Sequence, residues 1–252
     1  MILPELALGG LLALLCSATL FKIWRVQQAL SRIDGKLSRF QRESQNQYLQ
    51  GEVLNGLYAD LAFRKSLPAT RGFAASPDFL RVLAHHVIQA RPKDILECGS
   101  GVSTVVLARA CELNGNGRVH SLEHLADFAE RTRSELERHG LEKYGEVLDA
   151  PLTRHHLDGD TWSWYGLQAL PSLQFDMLVI DGPPETTGPL ARYPAGPLLF
   201  PHLKFGASIF LDDANRHDEK EAVARWLRER PDLNCTWVPS EKGCAVLRQA
   251  GA

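Results

Sequence analysis

Apolar residues repeat in three different ways along this chain. From Leu6 to Phe21 every position is apolar or small. From Ile23 to Phe40 the apolar positions are Ile23, Val26, Leu30, Ile33, Leu37 and Phe40. Their spacing alternates three and four, which is a heptad seam. Beyond Pro77 the pattern changes again. Short strand-like segments at Ile95–Leu96, Val119–Leu122, Val147–Leu148, Met177–Ile180 and Ile209–Leu211, most of them apolar throughout, alternate with helix-period segments. The helical segments are Phe79–Ile88, Ser103–Ala110, Leu125–His139 and Glu219–Arg230. Strands alternating with helices predict βαβ units, hence a doubly wound (Rossmann-like), mostly parallel sheet. Asn234–Val238 and Cys244–Leu247, around Glu241-Lys242-Gly243, predict a closing antiparallel hairpin.

The first two patterns predict an amino-terminal appendage. The run Leu6–Phe21, extended by Ile2 and Leu3, approaches the ~20 residues that cross a bilayer. No basic residue precedes it, as a signal peptide would require, and Leu15 before Cys16 does not suit a lipoprotein cleavage box. Lys22, Arg25, Arg32, Lys36, Arg39 and Arg42 all follow the run. That asymmetry predicts a single-pass anchor in the inner membrane with the remaining chain on the cytoplasmic side. The heptad seam reads either as an amphipathic linker helix or as a short parallel coiled coil that pairs two copies. The expected organisation is therefore an anchor over 1–24, a linker helix over 25–66 and a catalytic domain over 67–252, its start set in the loop-like Leu67–Ser76 stretch.

Composition removes some function classes. A net charge of −2 over 252 residues gives no footprint for nucleic acid. The five cysteines include no Cys-x-x-Cys pair, so neither a zinc site nor a disulfide framework is indicated.

The chemistry concentrates at Asp94–Ala110. Ile95 and Leu96 lead through Glu97-Cys98-Gly99-Ser100-Gly101 into a helix beginning near Ser103. Glycines let a ligand approach the backbone, and a helix start offers free N–H groups. A dinucleotide fingerprint needs a third glycine, and Thr104 stands after Gly101 where the pattern fails. Glu97 would repel a pyrophosphate and attract a cationic ligand. Glu123 ends the second strand, about twenty residues past the glycines, where βαβ cofactor folds place a carboxylate for ribose hydroxyls. The stretch Pro151–Gln174, with Trp162, Trp164 and Tyr165, reads as an irregular aromatic insertion beside the cleft.

This arrangement, a strand ending in an acid before Gly-x-Gly, resembles the first motif of class I S-adenosylmethionine-dependent methyltransferases. The resemblance covers roughly Ser76–Arg248 and is strongest to a bacterial group with Asp-Gly-Pro-Pro, Arg-Tyr-Pro-Ala and Asp-Asp-Ala-x-Arg, here beginning at Asp181, Arg192 and Asp212. It implies S-adenosylmethionine held by Glu97, Gly99, Ser100, Gly101, Ser103, Glu123 and, at the adenine, Asp149. The related catechol-type O-methyltransferases hold magnesium with an Asp and an Asp-Asn pair, matching Asp181, Asp212 and Asp213. Such an ion would gather acceptor hydroxyls and lower their pKa. The chain departs by having Asp213 for Asn and no lysine after Asp181. The metal expectation also requires those acids to be free of Arg192 and Arg216. Taken together, the resemblance implies a membrane-anchored O-methyltransferase for a small hydroxyl-bearing acceptor, with Asp181 as catalytic residue. A dinucleotide-dependent oxidoreductase and a catalytically silent membrane scaffold are the alternatives.

Overall fold

The computed structural model describes residues 3–251, with side chains described for residue 17 and from residue 19 onward. Two compact units divide the chain, residues 1–49 and residues 50–252. Helix α1 (Leu3–Asp60) supplies the described residues of the first unit, and its last turns belong to the second.

The expected membrane anchor does not stand. No helix among the described residues is long and apolar enough to cross a membrane. The transmembrane helix leaves the fold class, and the single-pass inner-membrane localisation goes with it. The physical reason lies in the composition of α1 itself. From Lys22 on it carries Arg25, Arg32, Asp34, Lys36, Arg39 and Arg42, so nearly every turn presents a charge. Leu6–Cys16, most of the apolar run, lies outside the described side chains. Within the first unit the seam residues Ile23, Val26, Leu30, Ile33, Leu37 and Phe40 are 51–70% exposed.

The second unit is the expected α/β layout. Its sheet runs β3 (Gly145–Asp149), β2 (Arg118–Glu123), β1 (Asp94–Cys98), β6 (Phe175–Ile180), β7 (Leu203–Leu211), β9 (Cys244–Gln249), β8 (Leu233–Val238). The first five are mutually parallel, and β8 and β9 form the antiparallel end. The strand order reverses at β1, which pairs with both β2 and β6. Ligands bind at that reversal, beyond the carboxyl ends of the strands.

Burial follows from the two faces of the parallel strands. Ile95, Val119 and Val179 face one core, with α2 (Pro77–Ala90), α3 (Val102–Asn114) and the end of α1, where Leu57 and Leu61 are buried. Leu96, Cys98, Leu178 and Ile180 face the other, with the short α5 (Ala195–Leu199), α6 (His217–Glu229) and Trp164, Tyr165 and Trp226. Parallel strands buried on both sides read as continuous apolar runs, which is why they were legible.

The insertion differs from expectation. It contains a hairpin of β4 (Leu152–Leu157) and β5 (Asp160–Tyr165), paired in their own two-stranded sheet. Asp158 and Gly159 turn it with φ of 50° and 88°. Asp-Gly is the dipeptide that accepts two successive positive φ values, so a hairpin signal was present.

Candidate active site

The glycine turn joins three strand ends. Gly99 N–H donates to Leu122 O at 2.9 Å, and Asp181 N–H donates to Cys98 O at 3.0 Å. Gly99 has φ 97°, and a Cβ there would lie 3.4 Å from Asp181 O. Gly101, with φ 150°, would aim its Cβ into open space. One glycine lets two backbones touch; the other leaves room above the start of α3.

Glu97 lies beneath this turn rather than on it. The strand's alternation sends it to the same face as Ile95, and it is fully buried. Its Oε2 accepts hydrogen bonds from Thr104 Oγ1, at 2.6 Å, and from Ser121 Oγ. Burial pushes its carboxyl pKa up, while the hydroxyls of Ser103, Ser121 and Thr104 pull it back. Thr104 Oγ1 also accepts from Gly101 N–H at 3.1 Å, so Glu97 and Thr104 brace the turn from below. Ser103 is likewise buried.

Glu123 and Ser100 face each other across the turn. Ser100 Oγ donates to Glu123 Oε2 at 2.9 Å and lies 3.1 Å from Thr132 Oγ1. Glu123 Oε1 accepts from the backbone N–H groups of His124 and Leu125 at 2.8 and 3.0 Å. Burial pushes its pKa up, but the hydrogen bonds from His124, Leu125 and Ser100 outweigh it and hold the carboxyl below its ordinary value. It is an anion fixed by donors. Asp149 is not gathered with these groups. Its exposed carboxylate pairs with Arg133 at 2.7 Å, on α4 (Ala126–His139).

A second set of acids gathers on the other side of β1. Carboxylate oxygens of Asp181, Asp212 and Asp213 lie within 4.8 Å of one another. Arg192, only 4% exposed, enters this group from the loop after β6. Its Nη2 donates to Asp213 Oδ2 at 2.7 Å and to Asp181 Oδ1 at 3.3 Å, and Nη1 donates to Asp212 O at 2.8 Å. Arg216 lies 3.2 Å from Asp213 Oδ2, and Lys242 lies 3.9 Å from Asp213 Oδ1. Asp212 is fully buried with both carboxyl oxygens unpaired. Burial, then the Asp181 and Asp213 charges, push its pKa far up. Burial also pushes Asp181 up to about 6, against the pull of Arg192.

Magnesium does not fit this set well. It demands near-octahedral oxygen donors at about 2.0–2.1 Å. Both sides of Asp213 already face cations, and Asp181 shares Oδ1 with Arg192.

Sequence reasoning brings two residues near the site without fixing their place in it. Arg192 is anticipated only as a cation that would neutralise the acids, because it lies in an irregular loop where no periodicity marks burial. Tyr165 is fully buried with an unpaired hydroxyl, and a Cβ on Gly182 would fall 2.3 Å from it. Tyr165 thereby carries the end of the aromatic hairpin to the loop after β6. A cavity of ≈ 390 Å³, lined by Arg154, Trp162, Thr187 and Pro189 among others, lies between that hairpin and that loop. A larger hollow of ≈ 510 Å³ is lined by Leu170–Gln174 and His202, at the amino ends of β6 and β7, away from the chemistry.

Comparison with known proteins agrees with this geometry. Residues 96–214 match the family described as "Methyltransferase domain". No curated protein matches the chain. Among solved structures, the O-methyltransferase from Bacillus cereus in complex with SAH is similar at TM-score 0.54 and 20% identity, covering 82% of this chain and 97% of that one. A methyltransferase from Geobacter sulfurreducens has TM-score 0.55 and 18% identity, covering 82% and 96%. The O-methyltransferase TomG from Streptomyces achromogenes, involved in tomaymycin synthesis and in complex with SAM, has TM-score 0.51 and 19% identity, covering 82% and 96%. At such identities the structural likeness speaks for the fold.

Proposed function

Because residues 96–214 match a methyltransferase domain, we propose that the chain is a class I S-adenosylmethionine-dependent methyltransferase of the catechol-O-methyltransferase-like type and that it methylates a hydroxyl oxygen of a small-molecule acceptor. The observation that carries this reading is the placement of Asp181. Its backbone is bonded to the strand that ends in the glycine turn, and its carboxyl is pushed up to about 6. A carboxyl with that affinity for protons is matched to general-base work near neutral pH.

In this reading Ser100, Gly101 and Glu123 hold the cofactor. Glu123 accepts from the ribose hydroxyls, and Gly101 leaves room for the methionine portion. Glu97 acts at one remove, by bracing Gly101 through Thr104. The acceptor lies over Asp181, with Trp162 and the 187–191 loop as its walls. Asp181 takes the hydroxyl proton as the oxygen attacks the methyl carbon. The new C–O bond forms while the S–CH3 bond breaks in line. The sulfonium leaves as neutral S-adenosylhomocysteine, and the proton remains on Asp181. Most of the rate comes from holding oxygen and methyl in line.

The test is release of S-adenosylhomocysteine over a panel of phenolic and aliphatic hydroxyl compounds, with the matching amines as controls. Turnover with amines and none with hydroxyls would redirect the reading to N-methylation.

The exposed seam from Ile23 to Phe40 supports a second copy of the chain as its partner, since a 3.5-residue apolar period suits a helix better than solvent. Sedimentation of the full chain, beside a Leu30→Glu/Leu37→Glu variant, distinguishes a seam-dependent dimer from a monomer.

A further inference from the structure

We propose that Arg192 is the resident cation of the Asp181–Asp212–Asp213 cluster and stands in for a divalent ion, so that no metal is bound there. The inference deepens the methyltransferase reading and rests on it for its meaning in catalysis, although the geometry stands without it.

The guanidinium is placed as a bridging ion would be. It reaches the Asp181 and Asp213 carboxylates with one nitrogen and the Asp212 backbone with another, and its Nε lies 3.8 Å from Glu219 Oε1. Arginine stays charged at any working pH, and its planar fork fits several oxygens at once. Arg216 and Lys242 add charge on the outer sides of Asp213. Asp213 is therefore committed to cations that belong to the chain. A divalent ion would have to displace the guanidinium or sit against it in a poorly hydrated site, where like charges repel strongly.

The loop that carries Arg192 is also locked. Trp226 Nε1 donates to Tyr193 O at 2.9 Å. Gly196 lies flat on the same indole, where a Cβ would come within 2.3 Å of two of its ring atoms. Tyr193 N–H and Ala195 N–H close turns onto Leu190 O and Arg192 O. The Arg-Tyr-Pro-Ala stretch and α6 thus form a mount for one side chain. Arg192 is a positioning residue: it orients the Asp181 carboxylate and sets a positive charge beside the place assigned to the acceptor oxygen.

Asp212 is the strongest argument for an ion, because both its carboxyl oxygens are buried and unpaired. The experiment therefore asks the cluster directly. Manganese would be titrated into the full chain and free Mn(II) followed by electron paramagnetic resonance, up to about 1 mM, the weak end of carboxylate sites. The wild-type chain and Arg192→Lys, which keeps a cation, should leave the free signal unchanged. Arg192→Gln leaves the acids without their central charge and should deplete it, and adding Asp212→Asn should abolish that gain. Depletion by the wild-type chain that Asp212→Asn removes would overturn the proposal, as would a folded Arg192→Gln that stays silent. If Arg192→Gln does not fold, a silent wild-type chain upholds the proposal and a binding one still overturns it. Calorimetric titration of S-adenosylmethionine on the same samples in EDTA keeps the two readings apart. Lost cofactor binding would count against the methyltransferase reading and leave the manganese result untouched.

Discussion

Two groups of acids flank β1, and they are kept ionised or neutral by different means. On the β2 side, Glu97 and Glu123 are held mainly by neutral donors, namely the hydroxyls of Ser100, Ser103, Thr104 and Ser121 and the amides of His124 and Leu125, with the His124 imidazole 3.1 Å from Glu123 Oε1. On the β6 side, Asp181 and Asp213 are held by Arg192, with Arg216 and Lys242 behind. The difference bears on what each side can receive. Neutral donors orient a carboxylate without cancelling its charge, so the β2 side keeps a negative field for a cationic cofactor. Cations on the β6 side cancel most of the charge, which suits an acceptor that becomes an oxyanion as it reacts. A carboxylate at a strand end is thus only half of a site; its partners decide its use.

The comparison can be broken first at Asp181. Replacing the base with Asp181→Asn should lower turnover by roughly 10²–10⁴-fold, the usual range for a general base. S-adenosylmethionine affinity, measured by calorimetry, should stay nearly unchanged, since the cofactor is assigned to the other group. A parallel fall in both would merge the two sides into one.

Gly101→Val attacks the β2 side sterically. It sets a branched side chain into the space that Gly101 leaves open, at a φ of 150° that valine avoids. Cofactor binding should be lost, with the helical circular dichroism signal retained. A smaller effect is expected from Glu123→Ala, which removes a charged acceptor worth about 1.5–3 kcal/mol, or roughly ten- to a hundred-fold in affinity. Unchanged affinity would take the ribose role from Glu123.

The pH dependence sharpens the contrast with the least perturbation. Asp181 must be ionised to act, so the rate should rise through about pH 6. For stability the sign runs the other way. The folded chain holds this proton more tightly than the unfolded one does. The contribution is complete below the ordinary carboxyl value of about 3.9 and is lost as pH rises through about 6. Asp181→Asn should shrink that loss in thermal melts between pH 4 and 7 without removing it, since Glu97, Asp212 and Glu219 are raised by burial as well. Glu123 is shifted in the opposite direction and should add no limb near pH 6.

Much of the fold was legible because parallel strands buried on both faces announce themselves as apolar runs. Each of Leu96, Leu122, Ile180 and Leu211 stands just inside a strand end, and the acids that follow them marked the carboxyl edge of the sheet. The same property hid the role of Glu97. A strand buried on both sides gives no polar alternation to reveal which face a residue takes, so its position under α3 could not be read. The hairpin was missed because its polar face, Thr153 to His156, resembles a loop, although Asp158-Gly159 announced the turn. Arg192 is anticipated as a neutraliser of the acids, but its burial was not legible, since it comes from contacts with residues 11 to 27 positions away, from Asp181 to Glu219. The amino-terminal anchor does not stand for a simpler reason: the charges after the apolar run read as an orientation signal, whereas no helix among the described residues is long and apolar enough to span a membrane.

The account depends most on the β2 side being a site for S-adenosylmethionine that needs nothing from the acid cluster. Calorimetric titration of the full chain in EDTA, with S-adenosylmethionine and separately with NAD, tests this directly. The account predicts one saturable S-adenosylmethionine site and no heat from NAD. Binding of NAD, or binding of S-adenosylmethionine only after a divalent metal is restored, would contradict it.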